Sequence, residues 1–319
     1  MTNKNKKRPN GYRAPPASRA THAASAGPAR RRGLFDSILA PRVAGSTPMP
    51  SIRASLGRGF VTVASSVPLV LTTAVVTFAV WVVLVAFGYE GPFALLVNAL
   101  GVPPVGTFND LNLSISVFGV STGFIALLAF IAVRAIVHAI LTAMVVDVLQ
   151  TGSATRWSLA RAVRILPVTL AVNIACLGLL MASSIMQQLL GGGFGLLVLI
   201  GALVAGVYLL GFAPVIVTTE RRGLADSLGR SVRAGRMPGA GNLLFAGLYV
   251  MTFIAILAVP GKPGSTISVN PSIGAWAMGI AVSLAHVVTL ATLAYRYLSV
   301  ADEVAEAPRR RQPSRDPRS

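Results

Sequence analysis

Long apolar runs separated by short polar breaks make up most of this chain. Six runs, residues 67–87, 115–133, 166–187, 194–217, 243–259 and 273–298, approach the roughly 20 apolar residues that a helix needs to cross a hydrocarbon core about 30 Å thick. Helices are the expected spanning form, because their backbone hydrogen bonds close within each segment. The pattern therefore predicts an all-α polytopic membrane protein with six transmembrane helices. The second run stays apolar past Arg134 and His138 as far as Leu149. Either that helix is strongly tilted or it leaves the membrane as a cytoplasmic extension packed on the polar breaks; the extension is favoured, because it puts Arg134 at the interface, where a charge costs little.

The polar breaks are not alike. Residues 227–233 read S-L-G-R-S-V-R, and residues 158–164 repeat this as S-L-A-R-A-V-R; residues 55–61, S-L-G-R-G-F-V, are a fainter copy. Each copy carries two apolar residues four apart, Leu56 with Phe60, Leu159 with Val163, and Leu228 with Val232, so each pair shares a helical face. Arginines three apart, Arg161 with Arg164 and Arg230 with Arg233, form another. Such a helix is expected to lie flat on the membrane, apolar side down and guanidinium groups at phosphate level. Pro68, Pro167 and Pro238 follow the copies near the start of the next run, where proline suits a first helical turn. Three units result, each an elbow helix, a proline-marked turn and two spans, related by rotation about the membrane normal.

Composition agrees with a membrane chain: 54% of its 319 residues are hydrophobic and only 12% charged. Of 28 Lys and Arg, twelve precede Phe60 and five follow Ala307. Most of the others fall in the second and fourth breaks, at Arg156, Arg161 and Arg164 and at Arg221, Arg222, Arg230, Arg233 and Arg236. The first connection has Glu90 and Asp110 without a cation, and the fifth has only Lys262. Positive residues are retained inside, so the expected location is the cell membrane, multi-pass, with the N-terminus and C-terminus cytoplasmic. Residues 1–50 then form a disordered basic cytoplasmic tail, 51–300 the six-span domain, and 301–319 a disordered charged tail. Within the first tail, Leu34, Phe35, Ile38 and Leu39 have the spacing of a short interfacial helix, the alternative being a partly ordered linker before Pro41. The first run starts too late for a cleaved leader and reads as a signal anchor. A net charge of +18 raises nucleic acid as a partner. Basic tails without interleaved aromatics, flanking spans, argue against it and point to anionic lipid.

Candidate chemistry is sparse. Cys176 is the only cysteine and reads as a small core hydrophobe. No zinc-ligand spacing joins His22, His138 and His286, so no metal and no cofactor is expected. Residues 191–195 are glycine-rich but lack the lysine of a phosphate loop. Arg134, His138, Asn173 and His286 are intramembrane polar candidates, either lining a path or bonding neighbouring helices. Arg134 and His138 share one face, whereas Asp147 points to the opposite side.

Pro214, Glu220, Gly223, Leu228, Arg230 and Ser231 give the fourth break a pattern that resembles a group of bacterial six-span proteins. That group includes the membrane domain attached to some glycerophosphodiester phosphodiesterases. In those enzymes the chemistry belongs to a separate soluble barrel, so the resemblance implies architecture and carries over no catalytic residue. With no catalytic constellation, the expected protein is not an enzyme but an accessory or scaffold protein. Its basic elbows would contact anionic headgroups through Arg161, Arg164, Arg221, Arg222, Arg230, Arg233 and Arg236. The alternative is a transporter or lipid flippase with a pathway between the spans near His286 and Asn173.

Overall fold

A computed structural model describes residues 50–86, 131–155, 157–190, 192–220, 222–237, 241–257 and 273–301. Among these, the chain is helical and contains no strand. The helices are α1 (Ile52–Ala64), α2 (Val67–Ala86), α3 (Ile131–Thr151), α4 (Trp157–Leu190), α5 (Gly192–Leu210), α6 (Ala213–Glu220), α7 (Leu224–Gly235), α8 (Gly241–Leu257) and α9 (Ile273–Leu298). Helices α4 and α5 pack along each other, α9 packs on α1 and α2, α6 on α4 and α7, and α8 on α5.

Four segments are long and apolar enough to cross a membrane: Ile131–Thr151, Trp157–Leu179, Gly193–Glu220 and Trp276–Leu298. A fifth is available if the bent pair α1 and α2 counts as one. Helix α9 spans the sixth predicted run from end to end. Helix α8 matches the fifth run but has only 17 residues. Most of the second run, residues 115–130, lies outside the described residues, as do both tails, Arg221 and Pro238.

Residues 131–151, expected as a cytoplasmic extension, form an apolar helix of 21 residues, two-thirds buried, with Arg134 inside the bundle. One expectation needs correction: Pro167 makes no turn, since α4 runs unbroken through it for 34 residues. Ala162 and Ile165 before the proline and Val168, Thr169 and Val172 after it are all buried. One continuous packed face therefore holds the helix on both sides, as happens for prolines within membrane helices. The other two copies are separate helices. Ser51 caps α1 by accepting from the Ala54 N–H at 3.2 Å, and α1 stops at Ser65 and Ser66. Helix α2 then leaves at 82°, with Pro68 in its first turn. In α7, Asp226 in the first turn and Arg233 in the last oppose the helix dipole favourably.

The bundle is closed by Leu69, Leu141, Ile165, Phe212, Ile216 and Tyr297, the bulkiest fully buried side chains. In lipid, moving apolar surface from tail to protein gains little, so close packing and interhelical polar contacts carry more of the stability than in water. Close packing is visible where α1 crosses α9. A Cβ on Gly59 would stand 2.4 Å from Thr292 Oγ1 and 2.8 Å from the Val288 carbonyl. Gly235 at the end of α7 is equally tight against the Tyr208 carbonyl.

Candidate functional site: a polar layer at one end of the bundle

The three related segments meet the bundle through the same register. Ser55, Gly59 and Thr62 are buried in α1, Ser158, Ala162 and Ile165 in α4, and Ser227, Ser231 and Ala234 in α7. These are positions one, five and eight of each copy, spaced for one helical face. The leucine-containing pairs turn elsewhere: Phe60, Leu159 and Val163 are each more than 60% exposed, and Leu228 and Val232 are half-buried. The small residue at position five permits close approach. Gly59 fits that requirement, and in α7 the Ser231 hydroxyl donates to the Leu209 carbonyl at 2.7 Å.

Each segment is also held by a polar residue at the end of another helix. Asp147, near the end of α3, is buried and accepts from Ser158, from Arg161 and from Thr155 at 3.1 Å. Glu220, the last residue of α6, accepts from Arg230 and from the Tyr297 hydroxyl near the end of α9. Arg296, one residue before Tyr297, donates its Nε–H to Asn242 Oδ1 at 2.9 Å. It also donates to the Pro50 carbonyl at 2.6 Å and to Ser55 Oγ at 3.4 Å. Asn242 in turn donates to the Ala234 and Gly235 carbonyls that end α7, at 3.3 and 3.4 Å. The end of α3 is thus tied to the start of α4, the end of α6 to α7 and α9, and the end of α9 to the starts of α1 and α8 and the end of α7.

The seven arginines expected at headgroups divide accordingly. Arg230 is buried beside Glu220, and Asp226 adds a longer contact at 3.5 Å, so this side chain faces inward and not toward phosphates. Arg161 is half-buried on Asp147. Arg164, Arg222, Arg233 and Arg236 are exposed. Arg222 lies 3.6 Å from Glu220 and 3.5 Å from Asp226, and Arg233 lies 4.0 Å from Asp226. Pairs as open as Arg222 with Asp226 contribute little and leave the cations available. Arg53 and Arg58 on α1 are exposed too, and among the described residues neither forms an ion pair.

A second polar group lies inside the bundle and gathers the four intramembrane candidates. Arg134, His138, Asn173 and His286 are all buried. Asn173 Nδ2 lies 3.5 Å from His138 Nδ1 and donates to the Thr169 carbonyl at 2.7 Å. The Tyr249 hydroxyl is 2.9 Å from His286 Nδ1. Arg134 is within electrostatic reach of His138, Cys176 and Tyr249. His138 Nε2, Asn173 Oδ1 and Thr142 Oγ1 have no hydrogen-bond partner among the described residues. Thr77 Oγ1 and Ser283 Oγ, 2.9 Å apart, tie α2 to α9 on the same helix as His286. The side chains of Ser183, Ser184, Gln187 and Gln188 lie outside the described residues.

Sequence reasoning missed Glu220, Tyr297, Arg296 and Asn242 as partners. Their signal was positional, since each is a polar residue within a few residues of the end of an apolar run. Among the described residues, no group of three or more His, Cys, Asp or Glu side chains is placed to hold a metal ion. No family model, curated protein or solved structure matches the chain. The kinship suggested by residues 214–231 accordingly rests on those residues themselves.

Proposed function

We propose that this is a six-span protein of the cell membrane, built from three elbow-containing units, that serves as an accessory or scaffold protein docked on anionic lipid. Both termini and the polar layer face the cytoplasm in this reading, and no catalytic role is assigned. The observation that carries it is the division of labour among the arginines. Arg161, Arg230 and Arg296 are consumed in holding helices together, whereas Arg53, Arg58, Arg164, Arg222, Arg233 and Arg236 stand outward. Exposed cations beside exposed apolar side chains, as at Leu159, Val163 and Arg164, suit the boundary between acyl chains and phosphates. The shared buried register of the three segments supports the threefold arrangement.

The test is the lipid that accompanies the purified protein. Wild type should retain phosphatidylglycerol in preference to phosphatidylcholine, with the excess falling as salt rises. Arg164→Gln, Arg233→Gln and Arg236→Gln together should remove most of that excess while the fold stays intact. Equal enrichment in wild type and variant would defeat the proposal.

One observation favours a second reading, a transporter or lipid flippase. Four polar candidates from α3, α4 and α9 converge with Tyr249 of α8 inside the bundle. A path there predicts that His286→Ala and Asn173→Leu slow lipid translocation in reconstituted vesicles; vesicles of wild type that move lipid no faster than empty ones would end it.

A further inference from the structure

A groove of about 680 Å³ opens between α8 and α9 and is roofed by α1. Its volume falls within the range of ordinary ligand sites. Phe245, Leu248 and Thr252 form one wall, Ala281, Ala285 and Val288 the other, and Leu56 and Phe60 the roof. The lining is hydrocarbon almost throughout. Its polar atoms are already engaged where they count, with the Tyr249 hydroxyl on His286 and the Thr289 hydroxyl on the Ala285 carbonyl at 2.9 Å. From Ala281 to Thr289 the groove follows α9 for about 12 Å at 1.5 Å per residue. Polar atoms contribute only a small part of the surface along that length, which suits a hydrocarbon chain better than an aqueous solute.

The rim supplies the charge. At 100° per residue, Arg53 lies about 20° from Phe60 and about 60° from Leu56 around α1, on the face that roofs the groove. Arg58 points away from that side. Arg53 is exposed and forms no ion pair among the described residues. Arg53 stands one turn before Leu56 at the start of α1, whose Pro50 and Ile52 lie against Arg296 near the end of α9 and Gly241 at the start of α8, so it belongs to the rim at that end of the groove. An apolar slot capped by one cation is complementary to an amphiphile with an anionic head.

We propose that this groove holds one acyl chain of a single anionic phospholipid, whose phosphate is met by Arg53. This rests on the anionic-lipid reading above and narrows it to one site distinct from the exposed arginines of α4 and α7.

The experiment uses the full chain in nanodiscs containing phosphatidylglycerol that carries a photoactivatable group on one acyl chain. Crosslinks should concentrate in peptides covering residues 244–252 and 281–289. Ala285→Trp, an exposed position where added bulk enters the groove and not the core, should reduce them at least tenfold. Arg53→Gln should reduce them severalfold, and a phosphatidylcholine probe should label weakly in wild type. Leu248→Trp fills the slot from the other wall, so a folding failure of one variant leaves a second. Crosslinks spread evenly over all outward helices, unchanged labelling in both Trp variants, or crosslinks replaced by contact with the chain's own residues 34–39 would each overturn the proposal. The two ideas fail separately. Loss of phosphatidylglycerol enrichment everywhere removes the general reading, while enrichment without groove crosslinks removes only this site.

Discussion

Tyr297, near the end of α9, donates its hydroxyl to Glu220, and the same carboxylate pairs with Arg230 of α7. One acid thereby fixes the consecutive helices α6 and α7 to the end of α9, 77 residues further along the chain. Arg230 and Tyr297 are almost fully buried and Glu220 is five-sixths buried, so the carboxylate cannot be replaced by solvent. Removing one partner of a buried ion pair leaves the other charge uncompensated, at a cost of about 3–5 kcal/mol. Glu220→Ala should destabilise the purified protein by about that amount. Tyr297→Phe, which deletes one neutral donor to a charged acceptor, should cost about 1.5–3 kcal/mol. Unfolding in mixed micelles by a denaturing detergent gives the comparison, and equal, negligible losses would refute the network.

Asp147 and Asp226 offer an internal control. Both lie close to arginines, yet Asp147 is buried among Ser158, Arg161 and Thr155, whereas Asp226 is exposed. Asp147→Asn should lower stability by about 1.5–3 kcal/mol, as expected for hydrogen bonds to a charged group. Asp226→Asn should change it by less than about 1 kcal/mol, the ceiling for exposed pairs. The same denaturation series measures both.

Gly57 and Gly59 stand two residues apart in α1 and should respond oppositely to alanine. Replacing an open helical glycine stabilises by roughly 0.5–1 kcal/mol, and nothing lies within 4 Å of a Cβ at Gly57. At Gly59 the Cβ meets backbone as well as a side chain of α9, so α1 must move away. Gly57→Ala should raise the thermal midpoint and Gly59→Ala should lower it. An increase for both would show that α1 is not seated on α9.

His286 is buried in α9, its Nδ1 beside the Tyr249 hydroxyl of α8. Tyr249→Phe should destabilise by about 1–3 kcal/mol, because it leaves a buried ring nitrogen without that partner. His286→Leu combined with Tyr249→Phe should recover part of the loss, since removing both polar partners avoids the unmet group. A double-mutant cycle on unfolding free energy reads the coupling, and strict additivity would contradict the contact.

The sequence carried the helical class plainly, because apolar runs as long as residues 273–298 admit little else. It also displayed the similar segments at residues 55–61, 158–164 and 227–233, yet it drew attention to the face that carries leucine and arginine. Leucine and arginine are conspicuous at positions two, four and seven of the copies, whereas the residues buried in all three copies stand at one, five and eight and, apart from Ile165, are serine and other small side chains. Small residues lack a hydrophobic signal and become legible only when a helix is seen crossing them. Pro167 misled for a related reason: a proline marks a boundary only where packing does not continue past it, and α4 is buried on both sides. Arg134 was expected at an interface on the general cost of burying charge. Its place among His138, Cys176 and Tyr249 depends on side chains from α4 and α8, whose convergence no local pattern encodes.

The central claim is that the polar layer lies on the cytoplasmic side, with the spans running away from it. Cysteine labelling tests it most directly, since Cys176 is buried and is the only native thiol. In a Cys176→Ala background, Arg233→Cys and Gly193→Cys mark the layer and the turn between α4 and α5. A membrane-impermeant maleimide should label Arg233→Cys only in inside-out vesicles and Gly193→Cys only in intact spheroplasts. Labelling of both positions from the same side, or the reverse pattern, would contradict the account.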